Sequence, residues 1–268
     1  MVETKSNKKN IILLQTVDIP EMRINRKDYN PDVFKIGAKS FENWAAKQNN
    51  IDVFIIDELL YPVKDMKITI QRYHAMDILD ANGIEYDQVC FTDCDAIIHP
   101  ECPNFFELTD HKYTITNTFG SMDWVCRSIE NWGKYLFDGN QFPFYDYFNG
   151  GFQIFNKEHK HIHENLLKFY WENKDKILWL QDNFHVGGDQ PLINYIVHNS
   201  GVEKKYLPYE FCMTDLVRCE LLREDMLFAR EFKGIYQFNC LPSRDGKALM
   251  GDVNYWVNKT YNYLYGKK

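Results

Sequence analysis

The chain has 268 residues, 45% hydrophobic and 26% charged, an ordinary globular balance that excludes intrinsic disorder and supplies one large core or two small ones. A formal net charge of −7 argues against a phosphate-backbone footprint, so nucleic acid is not an expected partner. The seven cysteines form no Cys-x-x-Cys pair, Met1 to Asn10 is polar, and no apolar run approaches the ~20 residues of a membrane span, which together predict a soluble cytoplasmic protein with reduced thiols.

Ile11 to Leu14 is predicted as a first buried strand, running into Gln15, Thr16, Val17 and Asp18 before Pro20. No Gly-x-Gly-x-x-Gly follows it, which argues against a dinucleotide-binding unit and against a P-loop. Asn30 and Pro31 read as the start of a helix whose buried face carries Phe34, Ala38, Phe41 and Ala45. Ile51 to Leu59 is a second strand, and Lys67 to Asn82 a second helix closed by Gly83. Next comes Tyr86 to Pro100, where the apolar run Val89-Cys90-Phe91-Thr92 ends on two carboxylates, Asp93 and Asp95. Positions i and i+2 of an extended chain point the same way from anchors ~6.6 Å apart, so both carboxylates can converge on one object. A hard cation, Mg²⁺ or Mn²⁺, suits such a pair; the alternative is a turn with solvated acids. Strand, helix, strand, helix, strand predicts an α/β fold with a largely parallel sheet, which binds ligands at the carboxyl ends of its strands.

Tyr113 to Thr118 is predicted as a strand, and Phe119 to Tyr147 as loop and short helix. Phe148 to Asn156 places Gly150 and Gly151 at the head of a further strand, where backbone must come close to something. A helix from about Glu158 to Asn173 buries Ile162, Leu166, Phe169 and Tyr170; His159, His161 and His163 at its start are expected to be solvated rather than metal-binding. Gly187-Gly188-Asp189-Gln190-Pro191 opens another helix, closed by Gly201, with Asp189 or Gln190 serving either as a cap or in a site. Gly234 to Asn239 reads as a short strand leading to a loop that carries Arg244 and Lys247. A domain over 1–250 is followed by an aromatic tail over 251–268, which either packs on the domain or makes weak peripheral contact with a membrane. The aromatic content, 19 Phe, 17 Tyr and 6 Trp, offers platforms for sugar rings and nucleobases or is a bias of composition.

Three segments in order, Thr92-Asp93-Cys94-Asp95, Phe148-Asn149-Gly150-Gly151 and Asp189-Gln190-Pro191-Leu192-Ile193-Asn194, resemble the GT-A glycosyltransferases, especially family 8 and its glycogenin-like relatives. The resemblance implies a GT-A fold and metal-dependent transfer of a hexose from a UDP-sugar to a glycan or other hydroxyl acceptor, with retention of configuration. It implies Mn²⁺ (or Mg²⁺) on Asp93 and Asp95, donor contacts from Thr16, Asp18, Arg72, Asn149, Gly150, Gly151 and Lys247, and roles for Asp189 and Gln190 at the sugar. The family's C-terminal histidine ligand has no counterpart here, leaving Gln237 or Asn239 to offer an oxygen. A non-catalytic sugar-nucleotide or glycan-binding protein of the same fold is the alternative.

Overall fold

Alternation along β1 (Lys9–Gln15) sends Ile11 and Leu13 into one apolar cluster and Ile12 and Leu14 into another, so this strand is covered on both faces. The structure is a computed structural model and describes residues 8–19, 30–118, 122–214, 216, 225–238 and 253–266. The further strands are β2 (Ile51–Ile56), β3 (Tyr86–Thr92), β4 (Ala96–Ile98), β5 (Tyr113–Asn117), β6 (Phe148–Phe155), β7 (Lys204–Leu207) and β8 (Ile235–Gln237). Among the described residues, six strands form one sheet in the order β2-β1-β3-β6-β5-β7, while β4 and β8 pair apart from it. Strand β1 runs parallel to β2 and β3, β5 runs parallel to β7, and β6 is antiparallel to both its neighbours. This is the mixed, mostly parallel α/β architecture that the motifs predict, with β6 as the reversed strand.

The helices are α1 (Asp32–Ala45), α2 (Ile68–Gln71), α3 (Ala75–Ala81), α4 (Met122–Leu136), α5 (Lys160–Phe184), α6 (Asp189–Ser200), α7 (Leu227–Glu231) and α8 (Val253–Tyr265). One face of the sheet packs on Met76 and Leu79 of α3, Ile129 and Trp132 of α4, Leu166 of α5 and Ile193 of α6. The other packs on Phe41 and Trp44 of α1, with Trp44 and Phe105 stacked at 5.1 Å. Helix α8 lies against α1 rather than projecting as a tail: Tyr261 Oη accepts from Asn43 at 3.0 Å, and Tyr265 Oη donates to the Ile98 carbonyl at 2.7 Å. Most of the large aromatics serve these cores; Tyr61, Phe144, Tyr145, Trp171, Trp179 and Tyr263 are exposed.

Several sequence expectations change; the helix expected from Glu158 to Asn173, for one, runs on to Phe184 as α5. The helix predicted from Lys67 to Asn82 is α2, a 3₁₀ turn over Arg72–His74, and α3. The interruption falls at Gln71 and Arg72, buried polar side chains bonded to groups outside the helix. The stretch from Phe119 to Tyr147 contains the fifteen-residue helix α4, with Val125, Ser128, Ile129 and Trp132 on its buried face. The expected solvation of the histidine cluster holds only for His161; His159 and His163 are buried. Asn156 and His159 form a capping box, and His163 is wedged edge-on between Phe155 and Tyr73.

Burial holds the His163 imidazolium down to about 3 from an ordinary 6.5. Below pH 6.5 the unfolded chain takes up a proton there and the folded chain does not, so this histidine's contribution is full above that pH and falls as the pH drops towards the folded value. Comparing wild type with His163→Leu cancels the titrations both share. The unfolding free energy of the variant relative to wild type is expected to rise by about 2 kcal/mol between pH 7 and pH 5 in urea titrations. A difference that stays constant across that range contradicts the assignment.

Candidate active site

Two strand pairings assemble the site. Antiparallel pairing of β3 with β6 makes the Asp93 N–H donate to the Gly151 carbonyl at 3.1 Å, so Asn149, Gly150 and Gly151 lie alongside the first carboxylate. A Cβ at Gly151 would strike Asp93 Oδ2, which gives the close backbone approach expected of this glycine its physical meaning. The pairing of β4 with β8 sets Gln237 opposite Ala96, and the Phe238 N–H donates to the Asp95 carbonyl at 2.9 Å. From there the Gln237 amide reaches back and donates to Asp93 Oδ2. On the far side, a Cβ at Gly37 would run into the Cys94 carbonyl, so α1 rests directly on the turn between the carboxylates.

Arg72 ties this cluster to α6. Its side chain is 6% exposed; Nη1 donates to Asp93 Oδ1 at 2.7 Å, and Nη2 donates to Asp189 Oδ2. The guanidinium also lies over the Phe91 ring, 4.2 Å from its centroid. Burial works against its charge, but Asp189 and Asp93 more than offset that and hold it protonated. Asp189 is the first residue of α6, and Gly188 caps the helix without a side-chain bond. Its carboxylate therefore serves Arg72, not the helix end, and the cap reading of Asp189 does not hold. Gln190 Oε1 accepts from the Gly150 N–H at 3.0 Å. Asn194 clasps Phe148 twice, accepting from its N–H at 2.8 Å and donating to its carbonyl at 2.9 Å. The N-terminal turn of α6 is thus strapped to the head of β6.

Burial pushes the Asp93 carboxyl up, opposed by the Arg72 cation. Burial and then the neighbouring Asp93 charge push Asp95 up to about 7. Asp95 Oδ1 is buried with no hydrogen-bond partner, an unmet demand that a cation would satisfy. Among the described residues no cluster of three or more His, Cys, Asp or Glu could hold a metal, so an ion here would have Asp93 and Asp95 as its described charged ligands. A hard ion held by two carboxylates, with waters and phosphate oxygens completing its shell, fits this set.

Thr16 and Asp18 lie just beyond the carboxyl end of β1, whose last residue, Gln15, accepts from the Cys94 thiol at 2.8 Å through its carbonyl. Asn239, Arg244 and Lys247 lie outside the described residues. Sequence reasoning assigns no role to Asn194 or Gln153, whose amide donates to the Gly150 carbonyl at 2.8 Å and accepts from Tyr113 Oη at 2.5 Å. The available signal is polarity out of place: an asparagine among the apolar residues of a helix and a glutamine in the middle of a buried strand.

Among solved structures, the chain resembles a glycosyltransferase involved in the glycosylation of the major capsid of PBCV-1, with a TM-score of 0.54 and 10% identity over 92% of this chain and 98% of that one. A second is the glycosyltransferase GlyE of Streptococcus pneumoniae TIGR4 in its apo form, with a TM-score of 0.48 and 11% identity over 96% of this chain and 62% of that one. No protein-family model matches the chain, and no curated protein matches its sequence. At such identity the first likeness shows the fold alone: this chain has the mixed α/β fold of that structure, the GT-A expectation of the sequence.

Proposed function

We propose that this protein is a metal-dependent glycosyltransferase that moves a hexose from a UDP-sugar to a hydroxyl of a glycan acceptor, with retention of configuration. The observation that carries the reading is the convergence of Asp93, Asp95, the Asn149–Gly151 segment and Asp189, with Asp93 and Asp189 joined through one buried arginine. When bound, a divalent cation offsets the charge of the carboxylates and of the donor diphosphate and stabilises charge developing on the leaving group. Asp93 and Asp95 would hold that ion, and the bare backbone at Gly150 and Gly151 lets Gln190 and Asp93 close directly against β6. Arg72 fixes the distance between the diphosphate end, at Asp93, and the sugar end, at Asp189. Asp189 grips sugar hydroxyls rather than abstracting a proton, because its carboxylate is already committed to Arg72. Gln190, turned towards Gly150, lines the reacting face. Among the described residues no helix is long and apolar enough to cross a membrane.

Calorimetric titration with UDP in the presence of Mn²⁺ tests the donor half of this reading. Wild type is expected to bind, and Asp95→Asn to bind at least ~10-fold more weakly, since the substitution keeps the shape and removes the charge an ion needs. Equal affinity for UDP in the two proteins contradicts the assignment of the carboxylate pair.

A further inference from the structure

The orientation of the Gln237 amide follows from a donor that cannot turn. The Gly151 backbone N–H points at Asn149 and donates to it at 2.7 Å, so the Asn149 atom facing it must be the acceptor, Oδ1. That leaves Asn149 Nδ2 facing Gln237, where it donates to Oε1 at 3.3 Å. The Cys212 thiol lies 3.5 Å from the same oxygen, as a second donor. Gln237 Oε1 is thereby committed to the β6 side, and its Nε2 faces the carboxylates and donates to Asp93 Oδ2. Gln237 and Asn149 are 2% and 4% exposed, so water does not freely replace these partners. Asp95 Oδ1, the buried atom with no partner, belongs to the same carboxylate pair.

We propose that Gln237 gates cation entry: Arg72 takes Asp93 Oδ1 and the Gln237 amide N–H takes Oδ2, so the amide has to turn away before Asp93 and Asp95 could hold an ion together. An N–H donor and a cation cannot share one carboxylate oxygen from the same side, because both present positive charge to it. Simple inversion of the amide is opposed, since Asn149 cannot follow without abandoning the Gly151 N–H, and two NH₂ groups would then face each other. Gln237 is a positioning residue that satisfies Asp93 without an ion and raises the threshold for binding one. Diphosphate oxygens, arriving with the ion, supply the ligands that overcome this threshold. The inference rests on the metal-dependent reading proposed above.

The test is Mn²⁺ titration of the full chain without nucleotide, following free Mn²⁺ by electron paramagnetic resonance. Q237M keeps the length and apolar stem of the side chain and removes its donor. It is expected to bind Mn²⁺ at least ~10-fold more tightly than wild type. Equal or weaker binding by Q237M, with UDP-dependent Mn²⁺ binding intact, overturns the inference alone, because a glutamine acting as an oxygen ligand predicts that loss. Absence of Mn²⁺ binding by both proteins even with UDP removes the metal-dependent reading and the inference with it. Should thermal melting show Q237M unfolded, Mg²⁺ titration of ¹⁵N-labelled wild type in the presence of UDP decides. The Gln237 side-chain NH₂ resonances are expected to shift on saturation, and unmoved resonances overturn the proposal.

Discussion

Arg72→Met is expected to be the most damaging single substitution in the site, lowering the unfolding free energy by about 3–5 kcal/mol and abolishing transfer. The guanidinium is buried and serves two carboxylates through different nitrogens, Nη1 to Asp93 and Nη2 to Asp189. Removing it leaves two acids in a protein interior with no counter-charge, and uncompensated burial costs more than the pair is worth when intact. Part of the loss is recovered when Asp93, whose carboxyl burial pushes up, takes a proton, so the variant should gain stability relative to wild type as the pH falls towards 5. Arg72→Lys separates charge from geometry. A single ammonium restores the charge but cannot span both carboxylates as a planar fork does, so stability should return in part while transfer stays low. Urea unfolding and UDP release measured on the same preparations check both statements. An Arg72→Met protein within 1 kcal/mol of wild type, a difference typical of an exposed ion pair, contradicts the bridging role.

Asp189→Asn is expected to retain the fold and UDP binding and to lose transfer ~100-fold or more, the scale on which a single electrostatic contact to a reacting centre is lost. The amide keeps an oxygen for Arg72 Nη2, so the stability cost should stay near 1–3 kcal/mol. Helix α6 should be unaffected, because Gly188 and not Asp189 occupies its cap position. Retaining transfer requires no strong base on the far face of the sugar, whereas inversion needs one within hydrogen-bond reach of the acceptor hydroxyl. The product of the wild-type enzyme should therefore keep the α configuration of its donor. An NMR spectrum of a β-linked product, or near-normal turnover in Asp189→Asn, contradicts this account of the residue.

What the sequence reveals of this fold follows the range of each signal. The strand that ends just before Asp93 is legible because Val89, Cys90 and Phe91 are buried and the chemistry changes abruptly after Thr92. Gly150 and Gly151 are legible as a close approach, though not as an approach to Asp93, since antiparallel pairing of β6 with β3 joins residues far apart in the chain. Arg72 can be singled out on its helix, but nothing local says that it pairs with Asp189, 117 positions away. Helix α4 escapes notice because Ser128 and Gly133 interrupt its apolar stripe. Both are buried, and a Cβ at Gly133 would meet the Asn140 carbonyl, so the small residues are part of the packing. His159 and His163 look solvated beside lysine and glutamate, yet the partners that bury them, Tyr113, Phe155 and Tyr73, come from other elements.

The proposed function requires that the carboxylates after β3 and the start of α6 form one nucleotide-sugar site. It is tested most directly by incubating the protein with UDP-glucose or UDP-galactose and Mn²⁺ and measuring the UDP released, with Asp93→Asn and Asp189→Asn alongside. Wild type should release UDP from at least one donor, release should stop on chelation of the metal, and both variants should fall to background while remaining folded. Release by Asp93→Asn at the wild-type rate, or release that survives chelation unchanged, would contradict the account.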